Sequence, residues 1–282
     1  MLLTNQNLPL IILAFIWIIG AILQDLRRRE VDNIWNFSLI AFALAYRLAL
    51  SINLNNYTFF FNGVFGFLIF LVIGNTLYYG RVFAGGDAKV LIALGTILPL
   101  SYDWIINFKL FAAFIFLFLI GGAIYVLIWS LILTAFNFTI FRKEFIKQII
   151  YYKKIIYTFI TLTILWLIIS LFLKQYTLIL LSITIILFPI LLVFAKAIEE
   201  SCMIKSTPPN KVTIGDWLYK DIKIKNKTIK ANWEGITEQQ LELIKKNYKK
   251  KILIKQGIPF TPGFLIGLIL LLIITEKRLL GF

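Results

Sequence analysis

Residues 60–90 read FFNGVFGFLIFLVIGNTLYYGRVFAGGDAKV, an apolar run that ends in a glycine pair and an aspartate. Residues 60–79 carry no charge, and a run of this length can cross the roughly 30 Å hydrocarbon core of a bilayer. Comparable uncharged runs recur along the chain, and 60% of its 282 residues are hydrophobic. The sequence therefore predicts an all-α polytopic membrane protein. It also poses the question of why an acid stands where the next helix is due to begin.

The apolar runs predict six to eight transmembrane helices, of which eight are favoured. They lie at about 8–24, 35–51, 60–79, 88–101, 107–135, 155–173, 177–196 and 260–276. The first run lacks a basic segment before it and a small-residue cleavage site, which favours a spanning helix over a cleaved signal. Within the fifth run, Gly121 and Gly122 predict close helix packing.

Basic residues are concentrated in alternate loops. Three of them, at 25–34, 136–154 and 197–259, each contain several lysines or arginines, and the loop at 80–87 contains Arg81, whereas the loops at 51–59 and 102–106 contain none. The positive-inside rule then places these four loops with basic residues in the cytoplasm and the protein in the cytoplasmic membrane. The net charge of +15 follows from this topology and from attraction to anionic membrane lipids, so no nucleic-acid partner is expected.

The chain is expected to divide into three parts. A transmembrane bundle covers 1–198, a basic cytoplasmic lobe 199–259, and a last transmembrane helix with its tail 260–282. The lobe is predicted to be small and α+β. Isoleucines 222, 224 and 229 indicate a short β ribbon, and Thr237 and Gln240 have the spacing of a helix capping box.

The side chains available for chemistry are few. The chain has no histidine and one cysteine, Cys202. This composition excludes a disulfide framework, histidine-ligated metals and nucleophilic catalysis through a histidine base. Neither a metal nor a cofactor is expected, and acid–base chemistry falls to carboxylates, lysines or tyrosines.

Asp25 and Asp87 are the candidate catalytic pair. Acids near membrane spans are costly and mark candidate functional sites, and the predicted topology puts these two on the same cytoplasmic rim while Asp103 lies opposite. Two adjacent carboxylates share a proton, which is what aspartic-protease chemistry requires. Gly85 and Gly86 have no Cβ and can adopt positive φ, so they are expected to let a peptide backbone approach the acid and to let the loop turn sharply into the helix. Taken singly, Asp87 could be a helix cap, and Asp25 could pair with a neighbouring arginine.

The segments QDLRRREVDN (24–33) and AGGDAKV (84–90) resemble the two active-site motifs of type IV prepilin peptidases. EGITEQQLELIKK and QGIPFTPGFLIG downstream are similar to the archaeal branch, the preflagellin and archaeal prepilin peptidases. The resemblance implies a membrane aspartic endopeptidase with Asp25 and Asp87 as catalytic residues. Gly86 corresponds to the second glycine of the family's G-x-G-D motif, and Ala84 stands at the first.

The resemblance also implies the substrate and its setting. The substrate would be a pilin-like or archaellin precursor whose short basic leader is cut at the cytoplasmic face during pilus or archaellum assembly. Gly85, Gly86 and Lys89 would form the supporting loop, and Glu30 and Asp32 are candidates to receive the leader. Helices at about 155–196 would be additional to the six that are usual in archaeal members.

Two alternatives use the same carboxylates. A presenilin-like intramembrane protease also carries G-x-G-D, but the Pro-Ala-Leu tripeptide typical of that family is absent from the sequence. A proton-coupled transporter would use Asp25 and Asp87 as a relay, although such proteins often show inverted repeats, and none is visible in the sequence. A structural membrane scaffold would leave the AGGDAK segment with no role beyond a turn.

Overall fold

The computed structural model describes residues 4–224 and 227–277, apart from the side chains of residues 176 and 177. Within these residues the chain is mainly helical. The helices are α1 (Leu8–Arg28), α2 (Asn33–Asn53), α3 (Thr58–Tyr79), α4 (Gly85–Leu94), α5 (Trp104–Phe136), α6 (Phe138–Tyr151), α7 (Lys153–Phe172), α8 (Tyr176–Cys202), α9 (Glu238–Asn247) and α10 (Pro262–Glu276). The strands are β1 (Ile204–Thr207), β2 (Trp217–Leu218), β3 (Ile222–Ile224), β4 (Lys227–Ile229) and β5 (Ile252–Lys255).

Six helices of the described chain are long and apolar enough to cross a membrane, namely α1, α2, α3, α5, α7 and α8. The predicted class, a polytopic helical membrane protein with a small sheet-containing region, is confirmed. Two of the eight expected spans are shorter, because α4 has 10 residues and α10 has 15. The sequence missed one helix, α6, in the segment that was expected to be a loop. Its apolar residues Phe141 and Phe145 pack against the end of α8.

The described residues form two compact units. One comprises the chain up to Ile128 together with the segment from Pro259 onward, and the other is Trp129–Ile258. The first unit contains α1 to α4, most of α5, and α10. The second contains the end of α5, helices α6 to α9 and all five strands. The three-part division into bundle, lobe and last helix stays a prediction.

Helix α4 in the first unit is short and buried almost all round, through Ala88, Val90, Leu91, Ala93 and Leu94. A helix that ends in apolar surroundings leaves backbone carbonyls without partners, and each such group is costly. In this protein a single arginine, Arg47, donates hydrogen bonds to these carbonyls.

Arg47 of α2 is completely buried and donates to the carbonyls that follow α4. Its Nε bonds to Thr96 O at 2.9 Å, and its Nη2 bonds to Ile97 O and Pro99 O at 3.1 and 2.7 Å. Its Nη1 reaches Phe59 O at 2.9 Å, and the guanidinium carbon lies 4.5 Å from the centre of the Phe59 ring. The end of α4 is thereby fixed to both α2 and α3.

Close packing of α5 with α10 depends on glycines. A Cβ on Gly263 would stand 3.0 Å from Gly122 Cα, and one on Gly267 would stand 2.7 Å from Phe118 Cα. Gly121 and Gly122 are in turn covered by Ile266 and Phe260 of the segment around α10. The close packing expected at these two α5 glycines is confirmed.

The second unit contains the small α+β lobe. Strands β1, β5 and β2 form an antiparallel sheet in that order, and β3 pairs with β4 as a hairpin. The predicted ribbon is this hairpin, in which Ile222 faces Ile229. The predicted capping box is also confirmed, since Thr237 Oγ1 accepts from Gln240 N and Gln240 Oε1 accepts from Thr237 N.

We expect Arg47→Met to destabilise the protein by about 3 kcal/mol or more, because several buried carbonyls lose a charged donor at once. Thermal unfolding of the detergent-purified protein measures this change. Arg27→Met is the matched control, since Arg27 is exposed at the end of α1. Equal unfolding temperatures for the two variants would contradict the role given to Arg47.

Candidate active site

Asp25 extends the buried face of α1. The buried positions Ala14, Ile18, Ala21 and Asp25 recur at the three- and four-residue spacing that defines one side of a helix. The helix ends immediately afterwards, where Arg29 takes a left-handed conformation (φ 59°) and its N–H bonds to Asp25 O at 2.8 Å. A carboxyl group is thus buried at the point where the chain leaves the helix, with only 8% of Asp25 exposed.

Asp87 lies in the first turn of α4. Ala84 precedes the helix in an extended conformation, and its carbonyl accepts from Ala88 N at 3.1 Å. The start of a helix carries partial positive charge from its free N–H groups, so an acid is well placed there. The Asp87 residue as a whole is half-buried.

The structure brings the two sequence motifs together. A Cβ added to Gly86 would lie 3.6 Å from the backbone N of Val31, in the segment between α1 and α2. Lys89 Nζ donates to Asn33 Oδ1 at 2.6 Å. The charge of Asp25 also acts on Asp87. Residues far apart in sequence therefore form one site, and it contains both candidate aspartates.

The environment of Asp87 favours its protonated form. Burial, and then the negative charge of Asp25, raise the pKa of Asp87 from an ordinary value of 3.8 to about 7. A hydrogen bond with the backbone of Ala84 acts in the opposite direction. Asp87 lies outside the membrane-spanning helices, because α4 is not among the six candidate spans. One carboxyl of the pair is thus poised to hold a proton near neutral pH.

Gly85, Gly86 and Lys89 were predicted to form a supporting loop, but all three lie in helix α4, and neither glycine uses the positive φ that was open to it. Both residues lie in the first turn of α4, and the positive-φ glycines of the described chain are Gly215 and Gly235 of the lobe. Nor is either position sterically closed, because an added Cβ would meet its nearest neighbour at 3.6 Å, an ordinary contact distance. The glycines therefore leave space beside Asp87 and do not relieve backbone strain.

The other predicted site residues lie at the edge of this region. Glu30 is exposed, and Asp32 is exposed in a salt bridge of 2.7 Å between its Oδ2 and Arg28 Nη2. Surface pairs of this kind add little stability, so Asp32 can exchange partners readily. Its N–H also donates to Gln24 Oε1 at 2.9 Å, which holds the turn between α1 and α2. Assignment of Glu30 and Asp32 to leader binding stays a prediction.

Sequence reasoning missed a third polar group at the dyad. Thr261 Oγ1 donates to Asp25 Oδ2 at 2.9 Å, and Thr261 N lies 3.4 Å from the same oxygen. Thr261 is only 1% exposed. The segment around Pro259 and Pro262 was interpreted as the start of a helix, and Pro262 does begin α10. The signal that could have revealed Thr261 is a polar residue held between two prolines at the entry to an apolar helix.

Aromatic rings hold the segment before α4 and the start of α10 against α5. The Phe83 ring lies 5.6 Å from Phe118 and 5.8 Å from Phe260, and Phe118 lies 5.4 Å from Phe260, measured between centroids. Phe83 and Phe118 are buried. Because Phe260 precedes Thr261 and Phe83 precedes the AGGD segment, this cluster fixes the approach of both segments to Asp25.

The arrangement can perform acid–base chemistry on a polar bond. It offers two interacting carboxyls, one buried against a hydroxyl donor and the other with a raised pKa. Across the described residues, no three or more Asp, Glu, Cys or His side chains are grouped in a way that could hold a metal ion.

Residues 12–136 match the profile of the type IV leader peptidase family. This part of the chain, which is less than half of the sequence, is similar to that family. A preflagellin peptidase from Methanococcus maripaludis is 37% identical over 90 residues, a match that covers 29% of this chain and 38% of that relative. Less than half of the relative's length is therefore matched. No solved structure matches the chain.

The matched family region, residues 12–136, contains Asp25, Asp87 and the glycine pair, whereas Thr261 lies outside it. The resemblance stated from the two motifs is thereby confirmed. The comparisons give no support to a presenilin-like protease or to a transporter.

We expect Asp87 to make the stability of the protein depend on pH. With its folded pKa raised to about 7, the folded state holds an extra proton between about pH 4 and 7, so the free energy of unfolding falls as pH rises through that window. The chain has no histidine, which leaves few other groups titrating there. Between pH 5 and 8 the wild type should lose about 2 kcal/mol more than Asp87→Asn.

Thermal unfolding at the two pH values, in one detergent, measures this difference. Asp103→Asn is the control, because Asp103 is exposed and its carboxylate accepts from Ile105 N at 2.8 Å. If Asp87→Asn loses as much stability as the wild type, the carboxyl of Asp87 does not titrate in this range.

Proposed function

We propose that the protein is a membrane aspartic endopeptidase that removes the short leader from pilin-like or archaellin precursors. The observation that carries this proposal is the interaction of Asp25 with Asp87 at a raised pKa, inside the family region. A relative that matches part of the chain bears the name preflagellin peptidase. That name supports the same substrate class for this chain.

The reaction needs one carboxylate and one carboxylic acid. The carboxylate takes a proton from water, whose oxygen attacks the carbonyl carbon of the scissile peptide bond. The acid gives its proton to the carbonyl oxygen, so the intermediate is neutral. When the C–N bond breaks, the proton on the first carboxyl goes to the leaving nitrogen and the second carboxyl recovers its own from the diol. The products are a leader ending in a carboxyl group and a mature chain with a new amine.

The proposal includes a cytoplasmic active site. Three arginines at 27–29 and Arg81 flank the aspartates in sequence, and the positive-inside rule assigns such loops to the cytoplasm. A basic leader does not cross the membrane readily, so cleavage on this side suits it. Glu30 and Asp32 would then receive positive charges of the leader at the rim of the site.

The glycine pair is proposed as the place where the substrate backbone approaches. Gly85 and Gly86 are half-buried beside Asp87, and neither needs to be glycine for its own conformation. Alanine would also fit sterically in the free protein. A glycine at such a position makes room for a second backbone, here that of the peptide to be cut.

Replacement of either aspartate by asparagine should abolish leader cleavage. Asp25→Asn and Asp87→Asn each remove a carboxyl that the reaction requires, and we expect kcat to fall at least about a thousandfold. The assay follows conversion of a synthetic precursor, a basic leader joined to an apolar helix, by purified protein in detergent. Asp103→Asn is the matched control and should keep full activity.

Unfolding temperatures close to that of the wild type would show that the two inactive variants are folded. Cleavage that persists in either aspartate variant would reject the aspartic mechanism. Absence of cleavage in the wild type with every pilin-like and archaellin precursor tested would reject the substrate class.

Gly86→Ala should separate stability from activity. Alanine in a helical turn is favoured over glycine by up to about 1 kcal/mol, and the new Cβ meets no close neighbour, so the unfolding temperature should hold or rise. The methyl group would displace the substrate backbone, and we expect kcat/KM to fall roughly ten- to a hundredfold. Gly85→Ala, whose Cβ would face the Tyr78 ring, should have a smaller effect. Wild-type kcat/KM in Gly86→Ala would show that the glycine is not needed for substrate access.

A further inference from the structure

The hydroxyl of Thr261 has an unusual partner for a threonine in this chain. Buried threonines in apolar helices commonly bond to a carbonyl of their own helix. Thr275 of α10 does so, with Oγ1 donating to Leu271 O at 2.8 Å. Thr261 instead donates to Asp25, a residue 236 positions away. Its hydroxyl is thus directed across the bundle to the proposed reacting group.

The side chain of Thr261 does not cap its own helix, α10. It occupies the N-cap position of α10, where a threonine side chain usually accepts from a backbone N–H of the first turn. No such cap is formed, because the residue has helical dihedral angles and its hydroxyl faces Asp25. The local arrangement therefore serves the carboxyl and not the helix.

Two donors on one carboxylate oxygen favour the charged form. Both the hydroxyl and the backbone N–H of Thr261 point to Asp25 Oδ2, at 2.9 and 3.4 Å. Hydrogen bonds to an ionised carboxyl stabilise it selectively over the neutral acid. The other member of the pair has the opposite bias, since its surroundings raise the pKa of Asp87 to about 7.

We propose that Thr261 is a positioning residue that keeps Asp25 ionised, so that Asp25 is the base that activates water and Asp87 is the acid. This inference rests on the proposed function and adds a role for each carboxyl. Both contacts of Thr261 end on Oδ2, which assigns the other oxygen, Oδ1, to the attacking water. The proton taken from water resides on Asp25 until the leaving nitrogen accepts it.

The charged groups around Asp25 come from several elements. Helix α4 contributes Asp87, whereas Lys89 of the same helix is exposed and bonds to Asn33. Helix α5 contributes Tyr125, which lies within electrostatic range of both Asp25 and Arg29. The first turn of α10 carries no acidic residue. Thr261, which precedes α10, bonds directly to the Asp25 carboxyl.

The pH dependence of leader cleavage tests the proposal. Thr261→Val removes the hydroxyl and keeps the shape, so the acidic limb of the kcat/KM profile should move to higher pH by about one unit. The alkaline limb, set by loss of the proton from Asp87, should stay in place. Thr261→Ser restores the donor and should restore the limb. Thr275→Val, which removes a buried hydroxyl of the same helix, should leave the whole profile unchanged.

A second readout does not require cleavage. In the Asp87→Asn background, the infrared carboxylate band of Asp25 is isolated as the difference from a protein that lacks both aspartates. Adding Thr261→Val should move the titration of this band upward by a similar amount. Thr261→Cys, whose thiol is a weak donor, replaces the valine variant if that variant does not fold, with a shift in the same direction.

The outcomes separate the two proposals. Lower activity in Thr261→Val with an unmoved acidic limb and an unmoved infrared titration would make Thr261 merely structural and overturn the inference. Cleavage that survives Asp25→Asn or Asp87→Asn would overturn the proposed function itself. A shift in the infrared titration with no cleavage of any precursor would leave the role of Thr261 standing and reject the substrate class.

Discussion

The bond between Arg47 and the carbonyls beyond α4 is the constraint on which the site depends. A helix of 10 residues cannot cross a bilayer, so α4 must stop inside the bundle, where free carbonyls are costly. Arg47 satisfies three of them at once. With that end fixed, the other end of α4 is held beside Val31, and Asp87 is presented to Asp25. A buried arginine at one end of a short helix thus determines where the acid at the other end lies.

The second constraint is the contact of α10 with α5. Glycines at 122, 263 and 267 let these helices approach to backbone distance, and the stacked rings of Phe118 and Phe264, 4.3 Å apart, fill the space beside them. This packing carries Thr261 to Asp25. Small residues and polar donors therefore cooperate, because the former bring backbones together and the latter decide which charge state the carboxyl adopts.

The sequence predicts those parts of the molecule that local chemistry determines. Spacing alone located the Thr237 capping box and the isoleucine ribbon, and apolar runs located most helices. Helix α6 was missed because it is too polar for a span and is stabilised by packing against α8. Gly85 was predicted to lie in a loop, because a glycine pair is typical of a turn, but it lies in the first turn of α4. Thr261 was missed because its partner is remote in sequence, and only tertiary packing brings the two together.

The helix dipoles oppose the assignment of Asp25 as the base, so their energies have to be compared with those of the hydrogen bonds to each carboxyl. Asp25 lies at the negative end of α1 and Asp87 at the positive end of α4, so the dipoles alone would favour ionisation of Asp87. Such effects amount to about 0.3–1 kcal/mol. Hydrogen bonds to a charged group contribute about 1.5–3 kcal/mol each, and Asp25 receives two from Thr261, whereas Asp87 has one with the backbone of Ala84. The proposed assignment follows because the hydrogen bonds of Thr261 outweigh the dipole of α1 and burial favours the protonated form of Asp87.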